Sequence, residues 1–143
     1  MAVNIDKFLE PFETGTIGGV IVRAYTPGVL LNDAVYQKSD GTVGRASAVS
    51  LVTAPAIGFV SAIDTPLVGL AEVRVVGDAT GFAGLVAGLL YILSKTPGMI
   101  LWVGDTANPA YPSGPGNIVQ TIAVAVSSMG LLVCASPASF LET

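Results

Sequence analysis

The side chains that most often carry catalysis or bind metals are scarce in this chain. Among its 143 residues there is no histidine and a single cysteine, Cys134. The chain therefore lacks the usual general base and the commonest metal ligand, and it cannot form a Cys/His metal cluster. Cys134 lies in the apolar run GLLVCAS with no cation near it in the sequence. We predict that this thiol is a buried, unreactive small hydrophobe.

The hydroxyl and carboxyl side chains form no recognisable catalytic pattern either. No serine lies in a G-x-S-x-G nucleophile elbow, and no histidine is present to activate one. Beyond the first fifteen residues the acids are isolated in the sequence, so no carboxylate pair is indicated. The stretches GDATGFAG and SGPGN lack the lysine of a phosphate-binding loop and indicate turns. We expect a protein that is not an enzyme and that uses no metal and no cofactor.

The charges argue against nucleic acid as a partner. Only 11% of the residues are charged, against about 25% in ordinary soluble domains, and the net charge is -4. The basic residues are scattered singly and form no patch that could neutralise phosphates. With so few charges, we expect part of the surface to be covered by other protein.

The stretch GLVAGLLYILSKTPGMILWV, residues 84 to 103, raises the question of a membrane span, since 52% of the chain is hydrophobic. A spanning helix needs about 20 consecutive, mostly apolar residues. Lys95, Pro97 and Gly98 interrupt this stretch, and the other apolar windows are broken by proline, glycine or polar residues. We therefore expect no membrane association.

Side chains that alternate between the two faces with a period of two residues indicate that the elements are β-strands. In LAEVRVVG the residues Ala71, Val73 and Val75 share one face, and Glu72 and Arg74 share the other. The stretch NIVQTIAVAV is apolar on both faces, which indicates a sheet that is covered on both sides. The alternation predicts that one face of this strand carries Ile118, Gln120, Ile122, Val124 and Val126.

Turn residues separate the predicted strands. Asp40-Gly41 in KSDGTV is a strong hairpin signal, and Pro97-Gly98 in SKTPGMI indicates a type II turn. GDATG and SSMG are predicted to close other strand pairs, and residues 82 to 90 could form a short helical turn. The pattern predicts an all-β fold, a small β-barrel or β-sandwich, with residues 18–143 forming a single β domain.

The first 17 residues differ from the rest and are predicted to form an extended N-terminal arm. Its apolar residues have helical spacing, but Pro11 and Gly15 limit any helix to about one or two turns. We expect this stripe to dock either on a partner or on the arm's own domain; its members are Ile5, Phe8, Leu9 and Phe12. The segment has neither the basic start nor the apolar core of a signal peptide, which favours an intracellular origin.

Two aromatic residues complete the set of candidate contacts. Tyr111 is the one large side chain of the longest predicted loop, residues 104 to 117, whose prolines and glycines exclude regular structure. It either anchors a partner or folds back on its own domain. Trp102, just after the Pro97-Gly98 turn, is expected in the core or in a subunit interface.

From residue 30 to residue 137 the chain resembles a β module that is common in structural proteins of tailed bacteriophages. The resemblance is carried by DAVYQKSDGTVGRASA, APAIGFV and AEVRVVGDATGF, and most of all by LVAGLLYILSKTPGMI followed by PSGPGNIVQTIAVAVSSMGLLVCASP. These last stretches are similar to the family's Y-x-L-S-x-T-P-G hairpin, Pro-rich loop and N-x-V-Q strand. Ala123 stands where the family often has glycine. The shared motifs are turn and strand signatures, not catalytic ones.

The resemblance implies a capsid decoration protein. Such a protein is made in the host cytoplasm, sits on the outer surface of the virion as a homotrimer, and binds the major capsid protein. A module in a phage tail or fibre that binds a host receptor is the alternative. The residues expected to contact the capsid or a neighbouring subunit are Ile5, Phe8, Leu9, Phe12, Trp102 and Tyr111.

Overall fold

The computed structural model describes residues 19–64 and 67–135, together with the backbone of residues 139–140. Within these ranges the chain forms twelve β-strands and one 3₁₀ turn, Leu51–Thr53, so the prediction of an all-β fold is confirmed. The predicted arm, and with it Ile5, Phe8, Leu9 and Phe12, lies outside the described residues. None of the described residues belongs to a helix long and apolar enough to span a bilayer.

The strands form two five-stranded antiparallel sheets. Sheet A has the order β1-β5-β4-β2-β3, and its strands are β1 (Val20–Ala24), β2 (Ala34–Gln37), β3 (Val43–Arg45), β4 (Ala56–Ile63) and β5 (Leu70–Arg74). The strands that follow are β6 (Gly77–Thr80), β7 (Leu90–Leu93), β8 (Ile100–Trp102), β9 (Ile118–Val119), β10 (Thr121–Ala125), β11 (Gly130–Val133) and β12 (Ser139–Phe140). Sheet B has the order β6-β11-β10-β7-β8, and β9 pairs separately with β12.

The hairpins predicted from Asp40-Gly41 and Pro97-Gly98 are present, and SSMG closes the β10–β11 pair as predicted. Strands β2 and β3 pair around Gly41, whose φ is +92°, and Lys38 N donates to Thr42 O at 2.8 Å. Strands β7 and β8 are joined by a turn in which Met99 N donates to Thr96 O at 3.1 Å. Gly98 occupies its third position with φ of +80°, as a type II turn requires.

Two local predictions are wrong. The GDAT of GDATG is not a turn but strand β6, which pairs with β11 and buries Ala79. Glycines with positive φ at Gly77 and Gly81 let the chain bend at both ends of this short strand. Residues 82 to 90 form no helical turn, because Phe82 N and Leu85 N donate instead to carbonyls of the β10–β11 connection.

The two sheets make a small β-sandwich and are not closed into a barrel, so the barrel alternative is wrong. Irregularities in the β2–β4 and β4–β5 pairings, of the kind that bends strands, lie in sheet A. Tyr25, directly after β1, makes one isolated parallel bridge to Val43 of the opposite edge strand. A single bridge is not a strand ladder, so the edges of sheet A approach without joining.

The core divides into two clusters. The larger one is built mainly from residues of both sheets, including Phe59, Leu93, Ile122 and Leu131. Phe59 also packs edge-to-face on Phe82, with ring centroids 5.3 Å apart. The smaller cluster comes from sheet A and its connections, and its fully buried members are Val35, Val43, Val60, Ala71 and Val73.

One buried side chain ties the two sheets together. Gln120 lies between β9 and β10, and its Oε1 accepts from Ala56 N of β4 at 2.8 Å. Its Nε2 donates to Ala56 O at 2.9 Å. The side-chain amide thus pairs with the Ala56 backbone as a neighbouring strand would, and it satisfies two buried backbone groups.

Candidate functional site

The outer face of sheet B carries a row of apolar side chains. In the strand register Val124 of β10 lies opposite Leu132 of β11 on one side and Leu90 of β7 on the other. Val103 extends the row, since its N donates to Leu90 O at 2.9 Å. Directly opposed residues of antiparallel strands point to the same face. Leu90, Val103 and Leu132 are 40–44% exposed, so this apolar row faces solvent.

A shift in strand register places Val124 in this row and overturns part of the alternation predicted for NIVQTIAVAV. The pairing of β10 with β7 shifts between Thr121 and Ala123. Ile118, Gln120 and Ile122 point inward as predicted, but beyond the shift Ala123 and Ala125 are the buried residues. Val124 is only partly buried and Val126 is exposed. An extra residue in a strand reverses the faces of everything after it.

Cys134 lies beside the apolar row, and the prediction that it is buried is wrong. Leu131 and Val133 of β11 are buried, whereas Leu132 and Cys134 are exposed. Alternation along β11 therefore carries Cys134 to the outer face, where it follows Leu132 by two residues. Its N donates to Ile122 O at 2.8 Å, which continues the pairing with β10.

A groove of about 380 Å³ opens along the free edge of β8. Its walls come from three segments: the stretch before β2, the stretch after β6, and the β7–β8 hairpin. We call it the β8 groove, and its main apolar lining residues are Leu31, Phe82, Leu85, Met99, Ile100 and Trp102.

Trp102 lies at the mouth of the β8 groove and is 41% exposed, so it is not a core residue. It is paired with buried Tyr91, but no further strand of sheet B covers it. The ring lies against the backbone of Gly104, where an added Cβ would overlap ring atom Cη2. Only glycine at that position leaves room for the ring as it stands.

The edge of β8 presents unpaired backbone groups. Leu93 N donates to Gln120 O, whereas Ser94 N and Val103 N donate across the β7–β8 pair. Antiparallel strands alternate between hydrogen-bonded and non-hydrogen-bonded pairs, so Ile100 and Trp102 direct their backbone groups away from β7. Trp102 O accepts from Asp105 N. The N–H and C=O of Ile100 and the N–H of Trp102 have no partner among the described residues.

Asp33, a buried acid of the groove lining, forms an ion pair with Arg45, whose side chain is 36% exposed. The carboxylate of Asp33 accepts from Leu30 N at 2.8 Å, and Arg45 Nε lies 3.0 Å from the same oxygen, Oδ2. Burial raises the pKa of Asp33 above its usual value, and the Leu30 N–H and the Arg45 charge oppose that rise. Gly98 packs directly on this carboxylate, since an added Cβ would lie 2.7 Å from Asp33 Oδ1.

Tyr111 folds back on its own domain. Its hydroxyl donates to Val103 O at 2.7 Å, which ties the loop of residues 104 to 117 to the chain just after β8. The loop contains turns and no strand or helix, as predicted. The structure therefore gives Tyr111 a role in holding this loop beside the apolar row.

Of the two predicted contact residues that the structure describes, Trp102 lines the groove and Tyr111 does not. Sequence reasoning missed Leu31, Met99 and the exposed face of Leu90 and Leu132. The signal for the apolar row was present in the sequence, since the strands of sheet B carry apolar residues on both faces. Nothing in the sequence pattern brings Leu31 next to β8. Comparisons of the chain with known protein families, with curated proteins and with solved structures found no match.

Proposed function

We propose that this chain is a capsid decoration protein, which binds the major capsid protein on the outer surface of a tailed-phage shell as a homotrimer. The observation that carries the proposal is the apolar row on sheet B. An antiparallel sheet with one face on the core normally turns a polar face to water. Here that second face carries Leu90, Val103, Val124 and Leu132.

The surroundings of the apolar row fit a protein-binding surface. Exposed Val126 and Met129 extend the apolar area toward the β10–β11 turn. Contiguous apolar patches of this kind mark interaction sites on soluble domains. The low charge content and the phage-module motifs favour a structural partner over a nucleic acid or a small substrate.

The mechanism is mechanical reinforcement. A shell that holds DNA under pressure fails where capsomers separate, and a bound trimer adds interface that must break at the same time. Once one subunit is bound, the second and third contacts are intramolecular and form at high effective concentration. Modest contacts per subunit therefore give durable attachment.

Co-sedimentation with empty expanded shells tests this proposal. We expect the wild-type chain to pellet with shells and the double variant Leu90→Lys/Leu132→Lys to lose at least tenfold in affinity, because each lysine places a charge in an apolar contact. Val22→Lys is the matched control, since Val22 is 47% exposed on a strand of sheet A. Equal binding by all three proteins would contradict a docking role for the apolar row.

A further inference from the structure

We infer that the β8 groove receives an extended segment of the major capsid protein, which adds a sixth strand to sheet B at the free edge of β8. The segment carries apolar side chains at alternate positions and a basic residue that faces Asp105. The inference deepens the proposed function and rests on it, because it names the site and the chemistry by which one subunit recognises the shell.

The first support is the backbone of β8. Ile100 directs an N–H and a C=O away from β7, and Trp102 directs an N–H the same way, with no partner among the described residues. These groups recur every two residues, about 6.8 Å along the strand, as in any extended peptide. Extended peptides bind free sheet edges through such main-chain hydrogen bonds. The strand reads Ile-Leu-Trp and has no lysine or proline that would block pairing.

The second support is the position of the groove beside that edge. In the β7–β8 register Trp102 lies opposite Tyr91, which is buried, and Ile100 lies on the same side of the strand. Both Ile100 and Trp102 line the groove. A strand added at this edge directs every second side chain to that side. Those side chains must be apolar, because they meet Leu31 and Trp102, which are 55% and 41% exposed.

The third support is the charge of the groove. Its described lining contains two acids and no basic residue. Asp33 is paired with Arg45, whereas the described residues place no cation within ion-pair distance of Asp105. The half-buried Asp105 carboxylate accepts at 3.3 Å from the amide of Asn108, which is a neutral donor. A ligand that brings a lysine or an arginine complements this carboxylate.

The place of the edge on the molecule favours the major capsid protein as the source of the segment. Val103 of the apolar row follows directly after Trp102, and its N donates to Leu90 O across the β7–β8 pair. A partner that covers the apolar row therefore lies beside the free edge of β8. The two contacts form one continuous surface.

The arm of the chain itself matches the groove less well. Its acids are Asp6, Glu10 and Glu13, and its one basic residue is Lys7, so its side chains carry a net negative charge that does not complement Asp105. Its apolar residues have helical spacing, whereas a strand in the groove needs alternation by two.

Hydrogen exchange, read by mass spectrometry with site-resolved fragmentation, tests the inference on the full chain. We expect the amides of Ile100 and Trp102 to exchange at least about tenfold more slowly in chain bound to empty expanded shells than in free chain, because the added strand accepts from both N–H groups. The Val22 amide is the matched control. It points outward from edge strand β1, since Val75 N donates to Gly19 O three residues earlier, and it should exchange equally in both states.

Two pairs of variants test the side-chain chemistry by co-sedimentation with the same shells. Leu31→Lys should bind at least about tenfold more weakly, because it places a charge in the apolar lining. Leu30→Lys should bind as the wild type does, since Leu30 is 60% exposed and lies outside the groove. Asp105→Asn should weaken binding about threefold at low salt and less at high salt. Asp40→Asn, which removes an exposed charge at the β2–β3 turn, should not.

Shell-bound chain whose Ile100 and Trp102 amides exchange as fast as in free chain overturns the inference and leaves the proposed function standing. Failure of the wild-type chain to pellet with shells overturns both. Slow exchange of these amides in the free chain also overturns the inference, because another segment then occupies the edge. Loss of that protection on deletion of residues 1–14 would identify the chain's own arm, and loss on dilution a second copy.

The variants add two further contradicting outcomes. Wild-type affinity of Leu31→Lys contradicts an apolar ligand in the groove. Wild-type affinity of Asp105→Asn at every salt concentration contradicts a basic residue in the segment.

Discussion

Gln120 is the side chain on which the relation between the two sheets most depends. Its amide donates to and accepts from the Ala56 backbone, and all of these groups are buried. The sequence placed Gln120 on the inward face of its strand, but it could not identify the partner, which lies 64 residues away.

Replacing Gln120 should therefore cost more than an ordinary substitution. We expect Gln120→Leu to lower the free energy of unfolding by about 2–5 kcal/mol, because two buried backbone groups lose their partners. Urea unfolding measures the change, with Gln37→Leu as the control at an exposed position on β2. A loss below about 1 kcal/mol for Gln120→Leu would mean that water or another group replaces the amide.

Asp33 should give stability a specific pH dependence. Its pKa is raised in the folded protein, chiefly by burial, so the folded state holds the proton more tightly than the unfolded state. Stability from this group is therefore present below the usual pKa of 3.8 and falls as the pH rises through the raised value. Asp33→Asn should remove that decline.

Urea unfolding between about pH 3 and pH 7 measures this difference for the wild type and Asp33→Asn, over the range in which carboxyl groups titrate. The other acids titrate in both proteins, so the comparison isolates Asp33. Parallel stability curves for the two proteins would show that burial of this carboxyl does not dominate its pKa.

Strands and turns differ in how far sequence determines them. The β2–β3 and β7–β8 hairpins were predictable because Asp-Gly and Pro-Gly specify turns locally. The sequence did not predict which face of the sheet Val124 occupies, because the register shift in β10 depends on the pairing of β10 with β7. The exposure of Cys134 and the existence of β6 likewise depend on strand partners distant in the chain.

Two turn glycines provide a test of how the β7–β8 hairpin is held. Gly98 and Gly41 both have positive φ, but a Cβ at Gly98 would meet the Asp33 carboxylate, whereas Gly41 faces open space. We expect Gly41→Ala to cost about 1–2 kcal/mol from backbone strain alone and Gly98→Ala at least about 1 kcal/mol more from overpacking. Thermal unfolding compares the two, and equal losses would contradict the packing of Gly98 on the ion pair.

The molecule as a whole combines a packed β-sandwich with two exposed apolar surfaces, the apolar row and the β8 groove. The apolar row and the β8 groove both lie on sheet B, and Val103 follows directly after Trp102, so one assembly can use both. Low charge and strands apolar on both faces predict from the sequence that part of the surface is covered by other protein, and this stays a prediction. The sequence could not locate the surfaces, because each is built from segments far apart in the chain.

Removal of the arm should separate folding from assembly. We expect a chain lacking residues 1–14 to fold, because the core clusters lie within residues 21 to 133, but to lose attachment to shells. Circular dichroism and thermal unfolding check the fold, and co-sedimentation checks attachment. A truncated chain that decorates shells with full affinity would rule out a role for the arm.

The copy number of this chain in purified virions, relative to the major capsid protein, tests the central claim most directly. Quantitative mass spectrometry of virions provides it. A decoration protein should be present in hundreds of copies, in a fixed stoichiometric ratio to the capsid subunits. A handful of copies per particle, at the level of tail or fibre components, would contradict the account and favour a receptor-binding module.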